Sequence, residues 1–324
     1  MTENLPVITI PLPTPFPVGD VNVYLIKADP VTLVDSGLFY PPSEKVLNEA
    51  LIHNGLQMSD IRRVVITHGH LDHYGMAGKI QEDTGAEVIV RSEEMRLMKP
   101  DKSHIDSITG TLKSTGMPEE LMSLNVAFMS KTPFIYPIQK ISTFSDESYL
   151  EFSDFKMRML HMPGHSEGHT CLYWEDENIL ISGDMLLPDI SSITSIGFDP
   201  GMKNLRRRSL AEMISSMERI GRFNPGLCLP GHGEAFQDPG GLISARVQFH
   251  RDRLDEIYSL VPRGEEKGVT PYQLSKMYYP NVEGFDKFLA VLEVVSHLDF
   301  LLDEGRIAEK IEDSGVSRFF RLLN

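Results

Sequence analysis

Short apolar runs that end on a glycine and a polar residue recur along this chain, and they predict its strands. Val21–Ile26 reads as one strand, Asp29-Pro30 as a turn and Val31–Val34 as the returning strand, which leaves through the polar Asp35-Ser36-Gly37. The prolines at 6, 11, 13, 15 and 17 are read as an ordered edge segment and not a polyproline ligand, because a strand follows them at once. Ser43 with Val46, Leu47, Ala50 and Leu51 predicts an amphipathic helix capped by Ser43, with His53 near its end. Ser59-Asp60 then precedes Val64–Ile66, an uninterrupted apolar run of the kind buried on both faces of a mostly parallel sheet. Ala77 to Asp83 reads as a helix and Ala86 to Val90 as a strand. Phe155–Leu160, the hairpin pair Leu172–Trp174 and Ile179–Ile181, and Gly226–Leu229 supply the later strands. Strands first and alternating βαβ units next describe a sheet covered by helices, an α/β fold.

Two stretches break this rhythm. Residues 92–141 are rich in methionine and other apolar residues: Met95, Leu97, Met98, Met117, Leu121, Met122, Leu124, Phe128 and Met129. They read either as helices packing on their own core or as an adaptable helical lid, since methionine fills irregular, substrate-facing surfaces well. Beyond residue 260 the pattern restarts. Thr270-Pro271-Tyr272-Gln273 carries a capping Thr, Pro at the first helical position and Gln at the capping-box position. Phe285, Phe288, Leu289, Leu292, Val295, Leu298, Leu301 and Leu302 trace a helical face that stops at Gly305, and two short runs around Asp313-Ser314-Gly315 make a hairpin. The domains expected are a catalytic one over 1–260 and a small one over 261–324.

At 324 residues, 41% apolar and 24% charged, the composition is ordinary for a globular protein. The 31 basic against 46 acidic side chains give a net charge of -15, which opposes non-specific adhesion to nucleic acid or anionic membrane. Cys171 and Cys228 are far apart and form no paired motif, so buried thiols are expected. With no signal-like N-terminus and no apolar stretch of membrane-spanning length, a soluble cytoplasmic protein is the expectation.

The chemistry lies at the strand ends. Thr67-His68-Gly69-His70-Leu71-Asp72-His73 places three histidines and a carboxylate immediately after a buried strand. Neutral imidazoles and carboxylates are the donors that zinc, iron(II) or manganese accept, and one ion would leave this cluster over-supplied. The alternative, a histidine-rich loop without an ion, must account for four such residues in six positions. His165 follows another strand, in His161-Met162-Pro163-Gly164-His165-Ser166-Glu167-Gly168-His169-Thr170. Ser182-Gly183-Asp184 and Pro230-Gly231-His232-Gly233 end two more. Asp35 is read as a brace for its loop.

T-H-G-H-L-D-H, P-G-H-S-E-G-H, S-G-D and P-G-H-G strongly resemble the motifs of the metallo-β-lactamase superfamily, across the first three quarters of the chain. The resemblance implies an αββα sandwich and two divalent ions, zinc foremost, with iron or manganese as alternatives. It implies that His68, His70 and His165 hold one ion and Asp72, His73 and His232 the other, with Asp184 bridging and Asp35 at the structural aspartate position. His161 and His169 match no ligand position. His70 stands where diiron redox members carry glutamate, which favours hydrolysis. The motif alone does not reject the persulfide dioxygenase branch, and the glyoxalase II, RNase Z and lactonase branches share the ligands, although no RNase Z-type tRNA arm is seen. The last 64 residues resemble the winged-helix domain of LACTB2-like metallo-hydrolases.

The activity expected is hydrolysis of a carboxylic ester, thioester or lactone by a water bridging two cations, with Asp72 orienting that water or carrying its proton. A LACTB2-like endoribonuclease or phosphodiesterase is the alternative, and a metal-sensing DNA-binding regulator a third reading. Tyr74 and Tyr173 are candidate oxyanion donors. Arg206-Arg207-Arg208 opens a helix either as a solvated face or as a phosphate-binding patch. His250 is expected to be structural. The partner expected is a small molecule ahead of nucleic acid, with no membrane. The acidic helix carrying Asp286, Glu293, Asp299, Asp303 and Glu304 is expected to pack on the catalytic domain or on a second copy of the chain.

Overall fold

The computed structural model describes residues 6–100, 102–123, 133–196 and 206–322. They form two compact units: residues 1–99, 133–192 and 216–242 in one, and 100–132, 193–215 and 243–324 in the other. The 92–141 insertion is divided between them, and most of it shares a unit with the C-terminal stretch.

The first unit holds two mixed sheets. One runs in the order β1 (Val7–Leu12), β2 (Val21–Ile26), β3 (Thr32–Val34), β4 (Arg63–Ile66), β5 (Glu87–Arg91), β6 (Ile141–Phe144), antiparallel up to β3 and parallel from there on. The other contains β7 (Ser148–Glu151), β8 (Lys156–His161), β9 (Thr170–Trp174), β10 (Ile179–Gly183) and β11 (Leu227–Pro230), with only the β10–β11 pair parallel. Side chains alternate across each strand, so β4 sends Val64 and Ile66 to one face and Val65 to the other. Val65, Tyr24, Ile26 and Val34 meet Leu172, Trp174, Ile181 and Leu229 of the facing sheet. Val64 and Ile66 pack against Leu47 and Leu51 of α1 (Pro41–His53) and Ile80 of α3 (Ala77–Thr84), which follows the short α2 (Leu71–Tyr74). Burial on both faces explains why β4 reads as a continuous apolar run.

The predicted cap of α1 is corrected by the structure. Pro41 opens the helix after Tyr40, which makes no side-chain cap bond, while the buried Ser43 hydroxyl donates to Pro13 O at 2.6 Å. That bond staples the proline-rich entry strand to the helix.

In the second unit, Leu112, Met117 and Met122 bury against Phe288, Val291, Leu292 and Val295 of α9 (Asp286–Asp303). Beyond α4 (Met95–Met98), the insertion thus gives Leu112 of α5 (Lys102–Ser114), Met117 and Met122 to the core of this unit. Leu124, Phe128 and Met129 lie outside the described residues. Thr270 caps α8 (Pro271–Tyr278) with the capping box its sequence spells, and β12 (Ala308–Ile311) pairs with β13 (Ser317–Phe320) as the expected hairpin.

The arginine triplet departs from both readings of the sequence. It precedes α6 (Ser209–Phe223), and its members are internally paired: Arg206 with Asp299 at 2.7 Å and Glu309 at 2.8 Å, Arg207 with Glu212 at 2.5 Å, Arg208 with Asp303 at 2.6 Å. Like charges in a run signalled a surface, but most of the acids that neutralise them are about a hundred residues away in sequence and could not be paired with them by inspection.

His250 of α7 (Pro239–Leu260) is buried beside His297. Its Nδ1 lies 3.4 Å from His297 Nε2, and His297 Nδ1 donates to Glu293 O at 2.7 Å. Burial, moderated by Glu293, pulls the His250 ring down to about 4, and burial does the same for His297. Both rings have an ordinary value of 6.5, so between 6.5 and about 4 the unfolded chain binds more protons than the folded one. Stability from this pair is complete above 6.5 and is lost as pH falls toward 4. Urea titrations at about pH 7 and about pH 4.5 are expected to show a loss on the order of 2 kcal/mol from each ring of this pair. The loss should be smaller in His250→Gln/His297→Gln, and an unchanged pH dependence in that variant would exclude the pair as its source.

Candidate metal centre

Strand ends deliver every candidate ligand. His68 and His70 leave β4 in extended conformation, His70 being the residue before α2, and the first turn of α2 then rotates Asp72 and His73 to another side. Thr170 N donates to Thr67 O at 2.9 Å, which fixes the β8–β9 loop carrying His165 against the end of β4. The parallel register of β10 and β11 slips between Ile181 and Gly183, and Gly231 N donates to Gly183 O at 2.8 Å. That bulge sets Asp184 beside Gly231, where a Cβ would lie 2.1 Å from Asp184 Oδ1 and 2.9 Å from His73 Cε1.

Three ring nitrogens converge on one side. His68 Nε2 is 3.0 Å from His70 Nδ1 and 3.1 Å from His165 Nε2, and His70 Nδ1 is 2.8 Å from His165 Nε2. Thr67 Oγ1 donates to Asp35 Oδ2 and so accepts from His68 Nδ1, at 3.0 Å. This leaves His68 Nε2 as a lone pair aimed at the other two rings. Ser192 Oγ meets the far nitrogen of His165 at 2.9 Å. Burial and the neighbouring rings keep His68 neutral well below its usual range and bring His70 down to about 3.

On the other side histidines face carboxylates. His73 Nδ1 donates to Asp35 Oδ2 at 2.8 Å, so in the neutral ring its Nε2, 3.4 Å from Asp184 Oδ1, is again a lone pair. Both of these facing atoms are then acceptors, both are buried, and neither has a hydrogen-bond partner. His232 Nδ1 donates to Asp20 O at 2.8 Å, and its Nε2 lies 3.5 Å from Asp72 Oδ2 and 3.7 Å from Asp184 Oδ2. Asp184 Oδ2 is also 3.6 Å from His165 Nε2, so this carboxylate touches both sides. Burial opposes charge on His73, but Asp184, Asp35 and Asp72 outweigh it and hold its pKa well above the usual value, so a proton competes with a cation for its Nε2. Burial likewise opposes ionisation of Asp184, which His73, His232 and His165 nevertheless hold well below the carboxylate range. Acceptors driven together in a buried space fit a cation between them, and the mixed nitrogen and oxygen donors fit a borderline dication.

The sequence profile of the metallo-beta-lactamase superfamily matches residues 16–232. The chain belongs to that superfamily. A Bacillus subtilis (strain 168) protein named "Probable metallo-hydrolase YqjP" is 32% identical over 323 residues, 96% of each chain. The bovine "Acyl-coenzyme A thioesterase MBLAC2" is 26% identical over 229 residues, 66% of this chain and 74% of its own. Among solved structures, a metallo-β-lactamase family protein of Thermus thermophilus superposes with a TM-score of 0.81 at 25% identity, covering 98% of both chains. With such relatives, this superfamily member is a metal-dependent hydrolase.

All seven residues expected from the sequence, His68, His70, Asp72, His73, His165, Asp184 and His232, are brought together, and three groups drawn from them could each hold an ion. The tyrosines are not. Tyr74 lies in the core behind β4, with burial raising its hydroxyl to about 12, and Tyr173 donates to Asn178 Oδ1 at 2.7 Å. His161 Nε2 bonds Glu167 O, whereas buried His169 accepts from Asp184 N at 3.1 Å and so places the backbone of that carboxylate. Tyr24 and Asn22 of β2 both donate to Pro230 O, at 2.5 and 3.0 Å, and hold the turn before His232. Ordinary strand residues in sequence, they carry no motif signal. The buried Glu94 also went unmarked.

Asp35 takes a left-handed conformation, φ 61°, and accepts from Thr67 N, Thr67 Oγ1 and His73 Nδ1. Asn tolerates that backbone but turns an amide N–H toward two donors. Asp35→Asn is expected to weaken metal binding by about 10- to 100-fold in competition with a chromophoric chelator, and unaltered binding would show that Asp35 braces only the loop. Gly231→Ala is expected to lose metal and turnover together, because its methyl needs the space of Asp184 Oδ1. Full metal content in that variant would mean the β10–β11 bulge can relax.

Proposed function

We propose that the chain is a dinuclear hydrolase of acyl thioesters, within the wider class of carboxylic esters and lactones. One observation carries the two-ion reading: Asp184 turns Oδ1 to His73 and Oδ2 to both His165 and His232, so that one carboxylate serves two clusters. His68, His70 and His165 would hold one ion, Asp72, His73 and His232 the other, and zinc suits both donor sets. Divalent ions at such a site acidify water to a nucleophile near neutral pH and offset negative charge on the attacked carbonyl oxygen.

The chain's own residues divide the remaining work. Asp72 is the most exposed of the acids here, its side chain 15% accessible, and His73 and His232 keep it ionised against burial. Its carboxylate would orient the attacking water and accept its proton. A thiolate leaves without prior protonation more readily than an alkoxide, since thiol pKa values lie at about 8.5. This suits a site whose two candidate tyrosine donors point elsewhere. The relatives named as thioesterases support the same choice, including the "Atrochrysone carboxyl ACP thioesterase dmxR1" of Cryptosporiopsis, 23% identical over 322 residues. The phosphodiester alternative is weakened because the arginine triplet is already paired with acids. We read α8, α9 and the β12–β13 hairpin as a winged-helix-like packing module for a small-molecule enzyme and not as a DNA reader.

The metal-loaded protein, offered acyl-coenzyme A thioesters, aryl esters and single-stranded RNA beside a His68→Ala control, is expected to release thiol fastest. RNA cleavage above that control without thioester turnover would overturn the substrate class. Asp184→Asn is expected to lose an equivalent of metal and nearly all turnover; two ions with full activity would defeat the bridging assignment.

A further inference from the structure

Glu94 lies between β5 and α4, outside every motif, with its side chain fully buried. Oε2 accepts from Gly69 N at 2.6 Å, and Oε1 accepts from Ser166 Oγ at 2.7 Å and from Gly168 N at 2.5 Å. Gly69 separates His68 from His70, and Ser166 follows His165. One carboxylate thus grips the two loops that carry the three converging rings. The glycines are shaped to it: a Cβ on Gly69 would lie 3.0 Å from Oε2 and 2.9 Å from Leu97 Cβ, and one on Gly168 would lie 3.0 Å from both Cγ and Oε1. All three partners are donors, which suits an ionised carboxylate, although burial raises its pKa. Among the described residues no lysine or arginine pairs with it. A buried negative charge of this kind finds its nearest use beside a dication.

The opposite half of the site has other supports. Asp35 orients His73, and the Asp20 carbonyl orients His232. We infer that Glu94 is a positioning residue that locks the His68/His70 loop to the His165 loop and so controls occupancy of the three-histidine position alone. The inference rests on the reading that this trio holds an ion of its own.

Cobalt(II) titration followed by visible absorption tests it, with wild type, Glu94→Gln and, as a control, Glu93→Gln, whose carboxylate pairs with Arg91. Gln keeps the volume of Glu94 but points an N–H at a donor. Wild type and the control are expected to bind two equivalents. Glu94→Gln should keep one tight equivalent, bind the other about 10- to 100-fold more weakly, and lose the band of the imidazole-rich site. Glu94→Asp, which keeps the charge on a shorter arm, should recover part of the affinity. Two tight equivalents with an unchanged spectrum in Glu94→Gln would overturn the proposal, as would equal weakening of both. If Glu94→Gln does not fold, Ser166→Ala removes one of the three bonds and must weaken the same equivalent selectively. A wild-type count of one would sink the two-ion reading instead, and Glu94 would then stand only if that single ion is the one its substitution weakens.

Discussion

The structure depends on forcing acceptors together. His73 Nε2 and Asp184 Oδ1 face each other at 3.4 Å, buried and unpartnered, while three imidazoles meet within 3.1 Å on the other side of the same carboxylate. With the rings neutral such contacts are unfavourable, because each group has given up water without gaining a donor. Something must hold the strand ends in place against this, and the sandwich does so with atoms the ions would never touch. The Asp35 carboxylate, the Glu94 carboxylate, the Asp20 carbonyl and the His169 ring each fix one part of the constellation.

These supports also decide the chemistry of each ring. A neutral imidazole that donates one N–H to an oxygen must offer a lone pair at the other nitrogen. His68, through Thr67, and His73, directly, are committed in this way when neutral, and both trace to Asp35 Oδ2. One left-handed residue at the end of β3 therefore sets the tautomers of a ring on each side of the site. Its position next to Gly37 in a polar turn gave it the look of a loop brace. Its reach comes from the parallel pairing of β3 with β4, which places Asp35 N against Val65 O at 2.8 Å.

How much of this was legible follows from how local each signal is. The ligands could be read because each group of them follows a strand and sits beside a glycine, a local pattern. The strands could be read because those buried on both faces leave unbroken apolar runs. Arg206, Glu94 and Ser43 could not be read, because what they do is decided by partners distant in sequence: Asp299 and Glu309 for Arg206, Gly69 and Gly168 for Glu94, Pro13 for Ser43. A charge or hydroxyl looks solvated until its partner is brought to it. Methionine was ambiguous for a different reason. Its flexible side chain suits a lid and a core equally, and only the packing of Met117 and Met122 on α9 separates the two.

The insertion can now be placed differently with respect to function. Its first residues are part of the site's support: Glu94 bonds both ligand loops, and Leu97 and Met98 close over Gly69, leaving no room for a side chain there. Leu112, Met117 and Met122 further along belong to the core of the second unit, and Ile138 returns to that of the first. A segment anchored at one end in the metal centre cannot be exchanged as freely as a surface loop, since altering its register would move Glu94 and with it the rings of His68, His70 and His165. The three-histidine position is thus tied to the first residues of the insertion, because Glu94 bonds the backbone between His68 and His70 and the hydroxyl beside His165.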